Sequence, residues 1–294
     1  MLLAMQAEYH KRQGHTVYWD NAMEADKTII EPEPIDFLKL PAPDRVFTHA
    51  SAIRYQHNGN FKYHPATYIQ VADGCWYGRC SFCVEKKREW KVRPVLAVHE
   101  ELKQIHDLGF KEVFDDSGTF PMGHWLEEFL DMENPGVVMG CNMRMIDAPY
   151  RRMKKWGFRM LLFGLESANQ RTLDRIHKGV IAADVRYIEE ASKAGLDCHG
   201  AVMFGYPWET EEDAKHTLRV LHDLLKRGVL KTAQASFFQP HPGFQANEAH
   251  RKYVGKIYDV ALSPRFWFNK IMAIRNEADF RYLVRQIKEG LKRK

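Results

Sequence analysis

Residues 193–213 read KAGLDCHGAVMFGYPWETEED. A helical stretch ends at Ala194, and Gly195 takes the position just past the helix, where a left-handed conformation closes it. An apolar run, Leu196–Phe204, follows and breaks at the turn Gly205-Tyr206-Pro207. Thr210-Glu-Glu-Asp213 then opens the next helix with a near capping box, Asp standing where Glu is usual. The same helix–glycine–apolar unit recurs at Leu108-Gly109-Phe110, Trp156-Gly157-Phe158 and Arg227-Gly228-Val229. The helices have the 3.6-residue period: Val98, Leu102, Ile105 and Leu108 are expected on one face, as are Leu218, Leu221 and Leu225. Strands are predicted at Glu112–Phe114, Met160–Phe163, Leu196–Phe204 and Thr232–Phe238, with two more at Thr67–Ala72 and Val137–Cys141. Six strands alternating with helices predict an α/β fold whose parallel sheet curls into an open or closed barrel.

Around this unit the chain is ordinary globular material. It has 294 residues, 45% hydrophobic and 28% charged, which excludes collagen-like, coiled-coil and disordered classes. Lysine and arginine exceed the acids by 5. The charges are mixed rather than blocked, so nucleic acid is not an expected partner. The basic end, Arg285–Lys294, reads as a solvated helix terminus. No run is long enough to span a membrane. The opening MLLAMQAEYHKRQGH turns polar too soon for a secretory leader, and a cytoplasmic location is expected.

Three of the five cysteines lie within nine residues, in Ala72-Asp-Gly-Cys-Trp-Tyr-Gly-Arg-Cys-Ser-Phe-Cys-Val84. An uneven set in a long chain points to metal or redox chemistry rather than a disulfide framework. Cys75, Cys80 and Cys83 form a C-x4-C-x2-C loop. Three centres compete for it. Zinc wants a fourth near ligand, and the next histidine is His99, without a paired partner. A 2Fe–2S cluster of ferredoxin type wants a fourth cysteine, but Cys141 is distant and in an apparent strand. The third is a 4Fe–4S cluster on three cysteines with one open iron.

In an α/β barrel, residues just after the strands share the rim that carries chemistry. Here that rim would hold the cysteine loop, Asp115-Asp116-Ser117-Gly118, Asn142 with Arg144, Glu166-Ser167 and Gly205-Tyr206-Pro207. Taken singly, each has a structural reading: a helix cap, a helix-start acid, a turn. Together with three cysteines they point to a cofactor site. Cys141 and Cys198 read as buried core thiols.

The cysteine loop, with Ser81-Phe82 between its last two cysteines, resembles the cluster motif of radical S-adenosylmethionine (radical SAM) enzymes. Phe163-Gly-Leu-Glu-Ser167 resembles that family's G-x-E-S stretch. Phe114-Asp-Asp-Ser-Gly-Thr-Phe120 and Phe204-Gly-Tyr-Pro-Trp-Glu-Thr210 resemble motifs of its cobalamin-dependent and methylthiotransferase subgroup. The likeness runs from about Thr67 to His241 and more weakly to the C-terminus. One departure is the spacing, since the family's usual loop is C-x3-C-x2-C; Gly78 is the expected place to absorb the extra residue.

The resemblance implies a partial (β/α)6 TIM-like barrel with a short N-terminal Rossmann-like remnant and a helical C-terminal tail. The expected divisions are 1–66, 67–245 and 246–294. It implies that Cys75, Cys80 and Cys83 ligate a 4Fe–4S cluster and that S-adenosylmethionine chelates its open iron. It places Phe82 near the adenine, Asp115, Asp116 and Ser117 at the methionine amino group, and Glu166 and Ser167 at the ribose or carboxylate. Arg144 is a second candidate for the carboxylate, and Gly205 allows close approach to the adenine.

The implied reaction is reductive cleavage to a 5′-deoxyadenosyl radical and hydrogen abstraction from an unidentified small molecule, lipid or peptide, with methylation as the outcome if cobalamin binds and rearrangement, cyclisation or oxidation if it does not. A flavodoxin or ferredoxin would supply the electron. Leu2–Asp20 resembles the first helix and second strand of a cobalamin-binding domain, and Glu31–Pro43 an extended linker. No D-x-H-x-x-G motif is present, so the sequence leans against cobalamin binding. In the tail, Phe266, Trp267, Phe268 and Ile271 are expected to pack on the barrel. His241 reads as a surface-loop residue. The alternative function is an iron–sulfur or zinc protein without turnover. An RNA methylthiotransferase would need three further clustered cysteines, which the chain lacks.

Overall fold

The structure, a computed structural model, describes residues 2–15, 17, 35–46, 61–83, 88–239 and 245–292. Its centre is one sheet of six parallel strands. In chain order the strands are β1 (Ala66–Ile69), β2 (Ala72–Asp73), β3 (Lys91–Val92), β4 (Glu112–Asp115), β5 (Val138–Met143), β6 (Phe158–Glu166), β7 (Asp197–Phe204) and β8 (Leu230–Phe237). The sheet order is β1-β4-β5-β6-β7-β8, with every pair parallel. β1 and β8 each have one neighbour, so the barrel is partial, the open one of the two forms the repeat allowed and the form the resemblance implied. The crossovers carry α2 (Val95–Asp107), α3 (His124–Asp131), α4 (Tyr150–Trp156), α5 (Gln170–Arg175), α6 (Val185–Lys193) and α7 (Glu211–Lys226). α1 (Leu2–Arg12) precedes the sheet; α8 (Lys252–Lys256), α9 (Pro264–Met272) and α10 (Glu277–Lys292) follow it.

The main core lies between the sheet and these helices. Val98, Leu102 and Ile105 of α2 are buried there, but Leu108 is 47% exposed because α2 has already ended. Phe120, Trp125, Phe129, Trp156 and Phe158 pack ring against ring under α3 and α4. Cys141 and Cys198 are fully buried, and the five cysteines form no disulfide. The capping box at α7 is present: the Thr210 hydroxyl accepts from the Asp213 N–H at 3.2 Å, and the Asp213 carboxylate accepts from the Thr210 N–H at 2.9 Å. Thr210→Ala is expected to cost about 1 kcal/mol, readable as a lowered urea midpoint with unchanged slope.

Two expectations need correction. The predicted strand Thr67–Ala72 stops at Ile69. The N–H groups of Val71 and Ala72 turn instead to the Asp115 carboxylate (2.9 Å) and the Ser117 hydroxyl (2.8 Å). Ala72–Asp73 then pairs antiparallel with Lys91–Val92, so the cysteine loop leaves and returns through a small hairpin. In the tail, Phe266 packs on the core and Trp267 is half-buried, but Phe268 is 62% and Ile271 58% exposed. Asn269 and Lys270 hold α9 by donating to the carbonyls of Lys226 and Lys231, which turns the opposite face outward.

The base of the barrel is closed by charge. Glu112 and Arg159, at the starts of β4 and β6, are almost fully buried and hydrogen-bonded at 2.5 and 2.8 Å. Arg159 also reaches Asp197 at 3.0 Å. The other Glu112 oxygen accepts from the N–H groups of Lys62 and Tyr63, each at 2.8 Å. α10 lies against this network: Arg285 donates to the carbonyls of Phe61 and Lys62, Lys62 pairs with Asp279, and Arg159 sits over the Tyr282 ring.

At the N-terminus, α1 packs Met5 on Phe37 and Leu40. Of the strand expected after it, only Val17 lies within the described residues.

Candidate active site

Parallel strands bring their C-terminal ends to one rim, and the expected site residues sit there. Asp115 ends β4, Arg144 follows β5, Glu166 ends β6 and Gly205 follows β7. The cysteine loop rises beside β1, with Gly74 and Gly78 at φ +76° and +59°. Cys75, Cys80 and Cys83 are half-buried, and the Cys83 N–H donates to the Cys80 carbonyl at 3.2 Å, making a turn. Gly118 presses on the loop: a Cβ there would lie 2.9 Å from the Gly74 carbonyl oxygen.

Asp115 and Ser117 work as a bracket. The Asp115 carboxylate accepts from the Val71 N–H and the Ser117 hydroxyl (2.7 Å), and its second oxygen is buried without a partner. Burial pushes its carboxyl up to about 7, against the pull of those hydrogen bonds. A raised carboxyl is protonated in the folded chain where it is ionised in the unfolded one, so its contribution is full below about pH 4 and lost as pH rises to about 7. Folding stability is therefore expected to fall across that window by a few kcal/mol. Asp115→Asn should flatten the dependence, measured by urea unfolding at a series of pH values.

The remaining site residues divide. Glu166 has φ +60°, a conformation rare outside glycine and often found at functional sites. Its carboxylate takes the Lys178 ammonium at 2.9 Å. Lys178 stands 6.0 Å from the centre of the half-buried Phe82 ring. Arg144 is 5% exposed, donates to the Lys178 carbonyl and lies over the Tyr77 ring. Asp116 is exposed at the rim, its N–H on the Ile69 carbonyl. Ser167 is turned into the wall, its hydroxyl 3.3 Å from that of Thr217 on α7. At Gly205 the Phe237 ring fills the space of the missing side chain; a Cβ would come within 2.2 Å of it. The Gly205 N–H donates to Glu209, and its carbonyl accepts from Asn247.

Sequence reasoning did not anticipate Lys178 or a role for Tyr77, and it placed Tyr206 on the rim without giving it one. Tyr206 is fully buried with its hydroxyl unpartnered. Burial pushes its phenol well above the ordinary value, with Glu166, Glu209 and Cys80 adding to the effect. Only its place in the Gly-Tyr-Pro turn hinted at a rim position. His241 lies outside the described residues.

The donor set fits an iron–sulfur cluster. Three thiols share one short loop, and unpartnered buried polar atoms of Asp115, Arg144, Tyr206 and Glu209 lie on the segments that follow the strands. Among the described residues no three His, Cys, Asp or Glu side chains gather as ligands of one ion. A cuboidal cluster does not ask for that, because each thiolate takes its own iron.

Comparison with known proteins gives the class. Residues 69–221, just over half of the chain, match the Radical SAM superfamily, and the chain belongs to that family of enzymes. Its cofactors are a 4Fe–4S cluster and S-adenosylmethionine, which Cys75, Cys80 and Cys83 and the rim above suit. Among its relatives is an uncharacterized methyltransferase of Pyrococcus horikoshii, 27% identical over 61% of this chain and 40% of that one. Another is a tRNA-2-methylthio-N(6)-dimethylallyladenosine synthase of Bordetella parapertussis, 25% identical over 62% of this chain and 42% of that one. The fold is shared with the radical S-adenosylmethionine methyltransferase TsrM of Kitasatospora setae, at TM-score 0.51 and 19% identity over 58% of this chain and 36% of TsrM. The chain thus spans about two fifths of the length of the curated relatives it matches. Among the described residues no helix is long and apolar enough to cross a membrane.

Proposed function

We propose that this chain carries the catalytic core of a radical enzyme acting by hydrogen abstraction on a small-molecule, lipid or peptide substrate. The observation that carries this reading is the three-cysteine loop standing beside a barrel rim whose buried acids and cations are partly unpartnered. When bound, the cluster and S-adenosylmethionine supply one-electron cleavage of a carbon–sulfur bond and a 5′-deoxyadenosyl radical.

The chain's own residues would hold, orient and shield that chemistry. Cys75, Cys80 and Cys83 take three irons. Phe82 offers an apolar face to the adenine, and the Asp115–Ser117 turn and Glu166 offer acceptors to the amino and ribose groups. Ser167 and Gly205 support the rim from behind, through Thr217 and Phe237. A small electron carrier of flavodoxin or ferredoxin type would reach the cluster from the loop side. The divisions 1–66, 67–245 and 246–294 belong to this proposal.

A second reading is methyl transfer, favoured by the methyltransferase names among the relatives. Anaerobic reconstitution with iron and sulfide, reduction and addition of S-adenosylmethionine tests both. A 4Fe–4S signal perturbed by S-adenosylmethionine, with 5′-deoxyadenosine formed, is expected. S-adenosylhomocysteine appearing only with added cobalamin would select methyl transfer. Bound zinc, or no cleavage under reducing conditions, would leave a binding protein without turnover.

A further inference from the structure

The widened loop between Cys75 and Cys80 reaches a turn on the other side of the rim. The Tyr77 hydroxyl donates to the His177 carbonyl at 2.8 Å, across the rim from its own loop. Its ring rests on Gly179, where a Cβ would stand 1.9 Å from the phenol oxygen. His177 and Gly179 have φ +52° and +65°, so the receiving turn is held in a conformation that most residues resist. The same turn is held twice more, once by the loop and once by Arg144 on the segment after β5. The Ser81 N–H donates to the Ile176 carbonyl at 2.9 Å, and Arg144 donates to the Lys178 carbonyl. The Arg144 guanidinium lies 3.6 Å from the Tyr77 ring centre and 5.6 Å from that of Trp76. Arg144 and Lys178 thus bring positive charge to the two rings on either side of Cys80, Tyr77 and Phe82.

We propose that Tyr77 latches the widened cysteine loop into the 177–179 turn, and that Arg144 clamps the latch and keeps a cation against the loop. Both are positioning residues: they act on the cluster through its ligand. The proposal rests on the radical SAM reading of the loop. A planar guanidinium can lie flat on a ring while donating at its edge, a geometry that a compact lysine ammonium does not reproduce. Partners that orient a ligand commonly govern how tightly the metal is held. A fixed cation beside a cluster favours its reduced, more negative state, since hydrogen bonding and local charge set cluster potentials.

The test uses the full chain, anaerobically reconstituted, as wild type and as Tyr77→Phe, Tyr77→Ala, Arg144→Lys and Arg144→Gln. Two readouts are taken: the rate of iron loss to a chelator, and the midpoint potential from EPR-monitored redox titration. Tyr77→Ala is expected to lose iron about 10-fold faster or more, with Tyr77→Phe between it and wild type. Arg144→Gln is expected to move the potential to a more negative value. Arg144→Lys should restore the potential while still losing iron fast, because the charge returns without the stacking.

Wild-type iron retention in Tyr77→Phe together with wild-type potential in Arg144→Gln would overturn the proposal, whatever the fate of Tyr77→Ala. Failure of the wild type to hold a 4Fe–4S cluster would instead overturn the radical SAM reading beneath it.

Discussion

Cys80→Ala is expected to abolish the 4Fe–4S signal and to reduce 5′-deoxyadenosine formation by more than about 100-fold, beyond the usual loss when a mere supporting residue is removed. Three protein thiolates are the minimum that can hold the cluster while leaving one iron open. Neither of the other two cysteines is placed to substitute. Cys141 and Cys198 lie in β5 and β7, fully buried on the helix side of the sheet. Burial also pushes both thiols far from the ionised form that binds iron. Cys198→Ala should therefore keep the signal, at a stability cost set by packing and by the weak thiol hydrogen bonds to the Ile188 and Leu196 carbonyls. Iron content, EPR and product analysis on the two variants side by side check the expectation. A cluster of wild-type yield in Cys80→Ala would contradict it, and with it the assignment of the loop.

The second large effect is expected at the opposite end of the barrel. Glu112→Ala should destabilise folding by about 3–5 kcal/mol, the usual cost of breaking a buried ion pair from one side. The loss is compound. Arg159, 5% exposed, loses its most buried described carboxylate and keeps the half-buried Asp197, and the N–H groups of Lys62 and Tyr63 lose the oxygen they share. Replacing Glu112 and Arg159 together by apolar residues of similar volume should recover part of the loss, because no charge is then stranded. Urea unfolding of the single and double variants reads both values. Equal stability of Glu112→Ala and wild type would show that the network adds nothing.

Much of the architecture was legible because it is local. Gly109, Gly157, Gly195 and Gly228 punctuate helix ends, and each is followed within a few residues by a strand of the sheet. The Thr210–Asp213 box is a contact over three residues and can be read directly. The rim followed from the parallel topology. What escaped the sequence depends on distant partners. The strand at Thr67 ends early because side chains more than forty residues away capture its N–H groups. Ser167 faces Thr217, fifty residues on, and Tyr77 finds His177 a hundred residues away. Phe268 and Ile271 have the period of a buried face, yet periodicity does not say which face is buried. Asn269 and Lys270 decided that through backbone carbonyls elsewhere.

The charged base described above has a consequence for how the molecule should breathe. Arg159, Glu112 and α10 tie the starts of three strands to the tail through bonds that need no ligand. At the rim, buried polar atoms of Asp115, Arg144, Tyr206 and Glu209 lack partners among the described residues. Amide exchange should then be slow and ligand-independent at the strand starts and faster at their ends. Free energy released by cofactor binding can be spent on ordering the rim, without first melting the end that keeps the strands in register.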